Sequence, residues 1–539
     1  MSAAAAQADG WTPARSVAGG RNPWTIIGVI SIATFMVVLD TSIANVALAH
    51  IAGSVSASYD EATWVITSFL ISNAIVIPIS GWLADVIGRK RYYMMSVALF
   101  TLSSLMCGLA PNLAFLVIAR ILQGIGGGGL APVEQSMMVD TFPPAKRGAA
   151  FAAYGVVVIV GPVLGPSLGG WITDNLSWHW VFLINVPIGM LSLFLVSIYV
   201  EEPNVLEEQR KKLLKKGLRV DLVGFALVAL FLGCLEVTLD RGQREDWFSS
   251  PMITTTAIIT ALALIAFIPW ELSQKEPIVK IRLYGQRNFL IANIFMVMMG
   301  VIVFGTTQFI PQLLQQVLGY TATNAGLALT MGGLATLLVM PVAGFLTGKV
   351  DPRILIGMAL TIQAIALWNM STLDTQISFQ NAAYARMIQS VGLPFLFVPI
   401  TNAAYVGLSP RENNQASALM NVSRNLGGTF GISLVQTMLA RQAQVHQAQY
   451  VETLNPLNPN YANAIDRATH ALMAQGMAQA DAAKAAAAEI YRSLGQQANM
   501  LSYVDVFHVL MIAILCALPL VFLMQKPKKT GGGAGEAAA

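Results

Sequence analysis

A chain of 539 residues that is 55% hydrophobic and only 11% charged, with a mean hydropathy of +0.61, lacks the roughly 25% of charged residues that dress a soluble domain. That balance excludes a water-soluble enzyme and a nucleic-acid binder, and a formal net charge of +4 names no partner by itself. The three cysteines, Cys107, Cys234 and Cys516, lie in separate apolar runs, a spacing that makes neither a disulfide framework nor a metal site.

A helix needs about 20 apolar residues to cross the hydrocarbon core. Fourteen such stretches follow one another, at about 25–50, 62–84, 92–110, 113–138, 149–172, 180–200, 221–239, 252–271, 289–314, 325–347, 354–373, 381–406, 416–439 and 503–524. The expected fold is therefore an all-α integral membrane protein. The first run is too long for a signal peptide and has no cleavage-like end, so it is expected to remain. Residues 1–24 and 525–539 read as flexible ends. An even number of spans puts both ends on one side, where Lys and Arg in the connections outnumber those opposite by 23 to 6. By the positive-inside rule both termini are cytoplasmic.

Asp40 lies in the middle of the first run, Trp24 to Ile51. A carboxylate at mid-bilayer costs about 2.5–3.5 kcal/mol on insertion scales. It is either a permanent staple to a neighbouring arginine or a group that takes up and releases protons, and we expect the second. Arg120 is similarly placed in span 4. Counting 1.5 Å per residue, Arg120 lies roughly 10 Å and Asp40 about 15 Å below the outer surface, so the two can meet inside the first half. Desolvation favours the neutral acid and the guanidinium favours the charged one, a competition suited to proton exchange.

The turn after span 2 carries Gly81, Asp85, Gly88, Arg89 and Lys90. A charge cluster at a helix end can close a gate by pairing with neighbouring helix ends, or merely anchor the loop. Glu134, near the cytoplasmic end of span 4, is a second protonation site, a cation-attracting residue or an interfacial carboxylate. In span 5, Gly161, Gly165 and Gly169 share one helical face, where small residues let two backbones approach closely; Pro162 and Pro166 remove donors and invite a bend. A water-excluding seam and ordinary packing have the same signature. Glu236, one turn before Asp240, reads as partly solvated. Residues 441–502, with high helix propensity on both flanks of the Asn- and Pro-rich NPLNPNYANA, suggest a helical hairpin standing off the membrane.

The chain also repeats itself. Pro78-Ile-Ser-Gly81 recurs as Pro341-Val-Ala-Gly344, and Ala119-Arg120-Ile-Leu-Gln123 as Ala385-Arg386-Met-Ile-Gln389. Two halves in the same direction are the parallel-repeat plan of some secondary transporters. The division expected is a six-helix bundle over 25–200, two extra spans within 201–288, and a second bundle over 289–524. Arg386 and Arg424 find no acid matching Asp40 and are expected to brace helices. Gly124-Ile-Gly126-Gly-Gly-Gly129 fits a dinucleotide fingerprint but sits in an apolar helix with no strand before it. Without a nucleotide site, metal or other cofactor, the expected energy source is a proton gradient. One charge crossing 100 mV releases about 2.3 kcal/mol, enough for roughly fortyfold uphill movement of a neutral solute.

These residues carry a resemblance. Gly81-Trp-Leu-Ala-Asp85-Val-Ile-Gly88-Arg89-Lys90-Arg91 resembles the signature loop of the major facilitator superfamily. Leu39-Asp40-Thr41-Ser-Ile-Ala-Asn45-Val-Ala47 resembles the first-helix motif of its EmrB/QacA-type fourteen-helix drug:proton antiporters. Gly161-Pro162-Val-Leu-Gly165-Pro166-Ser-Leu-Gly169-Gly170 resembles their antiporter motif. The resemblance implies proton-driven export of hydrophobic or amphipathic compounds across a bacterial inner membrane. It also implies a periplasmic adaptor (EmrA-like), which 441–502 would meet, and an outer-membrane channel (TolC-like). A substrate cavity between the halves would be lined by Asn45, Gln123 and Met137 and, across it, by Gln308, Gln312, Gln389 and Asn421. The alternative is a proton-coupled transporter of one specific metabolite or lipid.

Overall fold

Inside hydrocarbon every backbone N–H and C=O must find its partner within the chain, which leaves helices as the economical solution for single segments. The computed structural model describes residues 16–215, 221–375, 377–455 and 457–525, and each predicted span is helical. The expected flexible ends fall, over 1–15 and 526–539, outside the described residues. The first lobe comprises α1 (Pro23–Ser54), α2 (Trp64–Ile87), α3 (Arg89–Gly108), α4 (Leu113–Thr141), α5 (Pro144–Asn175) and α6 (Trp180–Tyr199). The extra pair is α7 (Leu222–Arg241) and α8 (Pro251–Ser273). The second lobe comprises α9 (Arg287–Gln312), α10 (Ala322–Thr347), α11 (Pro352–Ser371), α12 (Phe379–Ala404), α13 (Asn413–Val451) and α14 (Gln479–Ala517).

Among the described residues, eleven helices are long and apolar enough to cross a membrane by length and composition; α3, α5 and α13 fall short of that measure. In α3 and α13 the polar residues responsible are turned inward: Ser96, Thr101, Ser103 and Ser104 are buried in α3, and Asn414, Gln415 and Asn421 in α13. Fourteen spans are consistent with this arrangement.

The repeat seen in the sequence is also a repeat of packing. Within the first lobe α1 packs on α5, α2 on α4, and α3 on α4 and α6; eight helices later α9 packs on α13, α10 on α12, and α11 on α12 and α14. The contacts between lobes obey the same exchange, α2 with α13 and α5 with α10. Helices α7 and α8 pack on each other, and α7 leans on the seam between α2 and α13. Glu236 is accordingly buried, only 4% exposed, with both carboxylate oxygens accepting from the Thr429 hydroxyl. The expectation of a partly solvated Glu236 is corrected: closeness to a helix end does not expose a residue when α13 covers it.

One face, here the basic face, carries both described ends of the chain and the turn at 88. From the opposite face α13 and α14, each 39 residues long, run on as single helices beyond their apolar stretches. The 12 residues of α13 beyond position 439 add about 18 Å at 1.5 Å per residue. Between them lies a 16-residue helix, Pro459–Ala474, started by Asn458, whose side chain accepts from the Asn460 N–H, with Pro459 in the first turn. The hairpin expected at 441–502 thus has a third helix and a second turn, in which Gly476 takes a φ of +91° that L side chains rarely adopt.

Candidate functional site

Asp40 is fully buried and accepts from donors on two neighbouring helices, α4 and α6. Its Oδ2 accepts from Arg120 Nη1 of α4 at 2.6 Å, and its Oδ1 accepts from Gln123 Nε2 of α4 at 2.9 Å and from Asn185 Nδ2 of α6 at 2.7 Å. Arg120, 1% exposed, also donates through Nε to the Val65 carbonyl and through Nη1 to Gln123 Oε1. Its guanidinium lies 4.4 Å from the Phe69 ring centroid. Gln123 donates in turn to Ser104 of α3 at 2.7 Å. The meeting of Asp40 and Arg120 expected from the sequence is a direct contact. Charge-assisted hydrogen bonds to both oxygens tie α1 to α4 and α6.

Glu134 forms a second buried centre toward the basic face. Its oxygens accept from the Thr34 hydroxyl of α1 and, at 3.2 Å, from the Tyr93 hydroxyl of α3, and no cation pairs with it among the described residues. Hydroxyl partners can serve both the ionised and the protonated acid, whereas a buried carboxylate with no cation is costly. Glu134 is 0% exposed, which does not fit the interfacial reading.

The turn at 81–91 sits at the meeting of the lobes. A Cβ on Gly81 would lie 2.9 Å from the Asn414 carbonyl oxygen, so only glycine lets α2 approach α13 this closely. Asp85 accepts from Asn414 Nδ2. Gly88, at φ +99°, turns the chain into α3, whose first N–H groups, Arg89 and Lys90, both donate to the Glu202 carboxylate at 3.1 Å; a carboxylate is favoured at a helix N-terminus. The Arg89 side chain pairs with Asp140 at the end of α4, and Asp140 accepts from Asn413 of the second lobe at 2.9 Å. Ser136 bonds Asn414, and Asn421 donates to Gln135 at 2.9 Å. The stacked pairs Phe151–Tyr405 and Tyr154–Phe397 close the same level. Among the described residues, the hydrogen bonds joining the lobes all lie toward the basic face, so this conformation is shut there. Lys90 turns aside and donates to the Ser197 carbonyl.

The seven residues expected to line a cavity divide by depth. Asn45 and Gln308 are exposed and Gln312 is half-buried, on the hairpin-facing halves of α1 and α9. Gln123 and Gln389 are instead sealed in the arginine networks, and Met137 and Asn421 are buried in the closed floor. In this conformation the networks around Arg120 and Arg386 pack Gln123 and Gln389, and the shut basic face packs Met137 and Asn421. Gln308 continues the exposed stripe of α9 that carries Leu290, Ile294, Val297 and Phe304.

The glycine face of α5 packs on α1 and brackets Asp40. A Cβ on Gly161 would lie 2.7 Å from Val38 Cγ1, on Gly165 2.2 Å from Ser42 Oγ, and on Gly169 3.0 Å from Ile43 Cγ2. Pro162 and Pro166 belong to the same unbroken helix. Overpacking of about 1–3 kcal/mol is usual for added methyl groups in a tight seam. Gly165→Ala is expected to lower transport severalfold with normal membrane insertion, and Ser42→Gly in the same chain to recover most of it. An equal loss in the double variant would show that the seam is not what the methyl disturbs. The run Gly124–Gly129 is explained in the same way: Cβ atoms on Gly124 and Gly126 would lie 2.5 Å from the Phe69 carbonyl oxygen and 2.6 Å from the Phe100 nitrogen.

Sequence reasoning missed Asn185, Ser104, Thr34, Tyr93, Asp140 and Glu202. Only Asn185 carried a local signal, an amide in an otherwise apolar run.

With this geometry in view, the comparisons with known proteins are consistent. The family model described as Major Facilitator Superfamily matches residues 30–432. The multidrug export protein EmrB of Haemophilus influenzae is 41% identical over 431 residues, 80% of this chain and 83% of that one. The multidrug export protein EmrB of Escherichia coli strain K12 is 37% identical over 509 residues, 94% of this chain and 96% of that one. The solved structure of the proton:xylose symporter XylE, at 14% identity, superposes with a TM-score of 0.58 over 93% of this chain and 99% of that one, a likeness of fold alone. The family match and the two EmrB relatives agree with the repeated six-helix lobe and its charged turn: the chain belongs to the major facilitator superfamily, within its group of EmrB-type export proteins.

Proposed function

We propose that this protein is a proton-driven antiporter that exports hydrophobic and amphipathic compounds across a bacterial inner membrane by alternating access. The observation that carries this reading is Asp40, fully buried between Arg120, Gln123 and Asn185 in a lobe clasped to its repeat at the basic face. Following the positive-inside rule, the basic face is cytoplasmic, both termini with it, and the side clasped shut is the inner one. A proton entering from outside neutralises Asp40 and frees the α1–α4–α6 junction, which lets the lobes tilt. With the cytoplasmic side open, proton release restores the Arg120 pair while an apolar compound enters. Glu134, between Asp40 and the cytoplasm, is the relay or second carrier.

The same reading gives the three helices between 441 and 502 a partner. Rising beyond the membrane on the periplasmic side, they would meet an EmrA-like adaptor leading to a TolC-like outer-membrane channel. The multidrug export proteins among the relatives support small hydrophobic compounds as cargo.

Purified protein in vesicles with an imposed pH gradient tests the scheme. Ethidium is expected to move against the proton flow and to stop moving when the gradient is collapsed. Movement in the same direction as protons would overturn antiport.

A further inference from the structure

The second lobe contains the counterpart of the Asp40 site with its acid missing. At the repeat offset of 266, Arg120 and Gln123 become Arg386 and Gln389, and Asp40 becomes Thr306. The arrangement is kept: Arg386 Nη1 donates to Thr306 Oγ1 at 3.1 Å and to Gln389 Oε1, and Nη2 donates to Thr307 Oγ1 at 3.1 Å. Arg386 is 6% exposed, and no carboxylate is among these partners. Two donors remain buried without a partner, Arg386 Nε and Gln389 Nε2. In the first lobe the equivalent glutamine amide donates to the carboxylate that the second lobe lacks. The network reaches toward the surface at Thr307, which is half-buried and precedes the exposed Gln308.

We propose that Arg386, Gln389, Thr306 and Thr307 form an anion-binding subsite that takes the negatively charged head, carboxylate or sulfonate, of an amphiphile whose apolar body lies between the lobes. A buried cation with no counter-charge is unfavourable. A guanidinium fork with hydroxyl and amide donors around it is a fitting receptor for a planar or tetrahedral anion. An incoming anion supplies the charge that Asp40 supplies in the other lobe. This subsite deepens the export reading above and rests on it, since it names one class of cargo for the same export path.

The probe is taurocholate, which carries a permanent sulfonate, and binding is measured on the full chain in neutral detergent. Arg386→Gln is expected to weaken binding at least tenfold. Thr306→Asp, which returns an acid to within reach of Arg386 and neutralises the site from inside, is expected to do the same. Thr306→Ser keeps the hydroxyl and is expected to keep the affinity. In vesicles the ratio of taurocholate export to ethidium export is expected to fall at least tenfold in Thr306→Asp. Unchanged taurocholate affinity in Thr306→Asp, or equal loss of both cargoes, overturns the subsite; this variant carries the test should Arg386→Gln fail to fold. Proton-driven ethidium export by a wild-type chain that binds no taurocholate overturns the subsite and leaves antiport standing, whereas taurocholate binding without proton-driven export overturns antiport alone.

Discussion

Replacing Asp40 by asparagine is expected to abolish pH-driven accumulation, at least a hundredfold, while the protein still reaches the membrane. The amide can still accept from Arg120, but it carries no exchangeable proton and no charge. Two effects must be separated. Asparagine removes the titrating group, and it also leaves Arg120, which is 1% exposed, without its counter-charge; breaking a buried pair by removing one partner costs about 3–5 kcal/mol. A second substitution, Arg120→Gln in the Asp40→Asn chain, removes the orphaned cation. Thermal stability is expected to return toward wild type in the double variant, and coupling is not. Recovery of coupled export in the double variant would mean that charge balance, not proton exchange, is what Asp40 contributes.

Removing the inter-lobe clasp is expected to shift the resting conformation. Asn413 and Asn414 together bond Asp140, Asp85 and Ser136 across the lobes. Hydrogen bonds to charged groups contribute about 1.5–3 kcal/mol each, and two of these three are to carboxylates. Replacing both asparagines by alanine is expected to raise the population open at the basic face by at least tenfold, since about 1.4 kcal/mol suffices for that. Spin labels at Lys146 and Lys349 straddle the seam, where a Cβ on Gly348 would lie 3.2 Å from the Ala145 carbonyl oxygen. Their distance distribution should gain a long component in the variant. An unchanged distribution would place the closing energy elsewhere, in the apolar stack of Phe151, Tyr154, Phe397 and Tyr405.

What could be read from the sequence was whatever depends on position along one helix. Fourteen apolar runs, the direction of the repeat, the depth of Asp40 and Arg120 and the glycine face of 161–169 all follow from rise per residue and hydropathy. What could not be read depends on which helix lies beside which. Gln123 looked like a cavity residue because it is polar in an apolar span. It is instead three residues from Arg120 on the same face, and the Arg-x-x-Gln spacing repeated at 386–389 was the available signal. Glu134 could not reveal Thr34 and Tyr93, which come from two other helices. Glu236 looked wet because it is close to a helix end, yet the lean of α7 on α13 covers it. In the gate, Asp85 and Arg89 were legible as a charge cluster, while Asp140 and Glu202 were not, because each reaches the turn only through tertiary packing.

The direct measurement is proton release on substrate binding in weakly buffered detergent solution, followed with a pH-sensitive dye. Wild-type protein near neutral pH is expected to release protons as ethidium binds, and Asp40→Asn to release fewer by about one per chain. Identical release by the two proteins would contradict the assignment of Asp40 as the group that exchanges its proton for cargo.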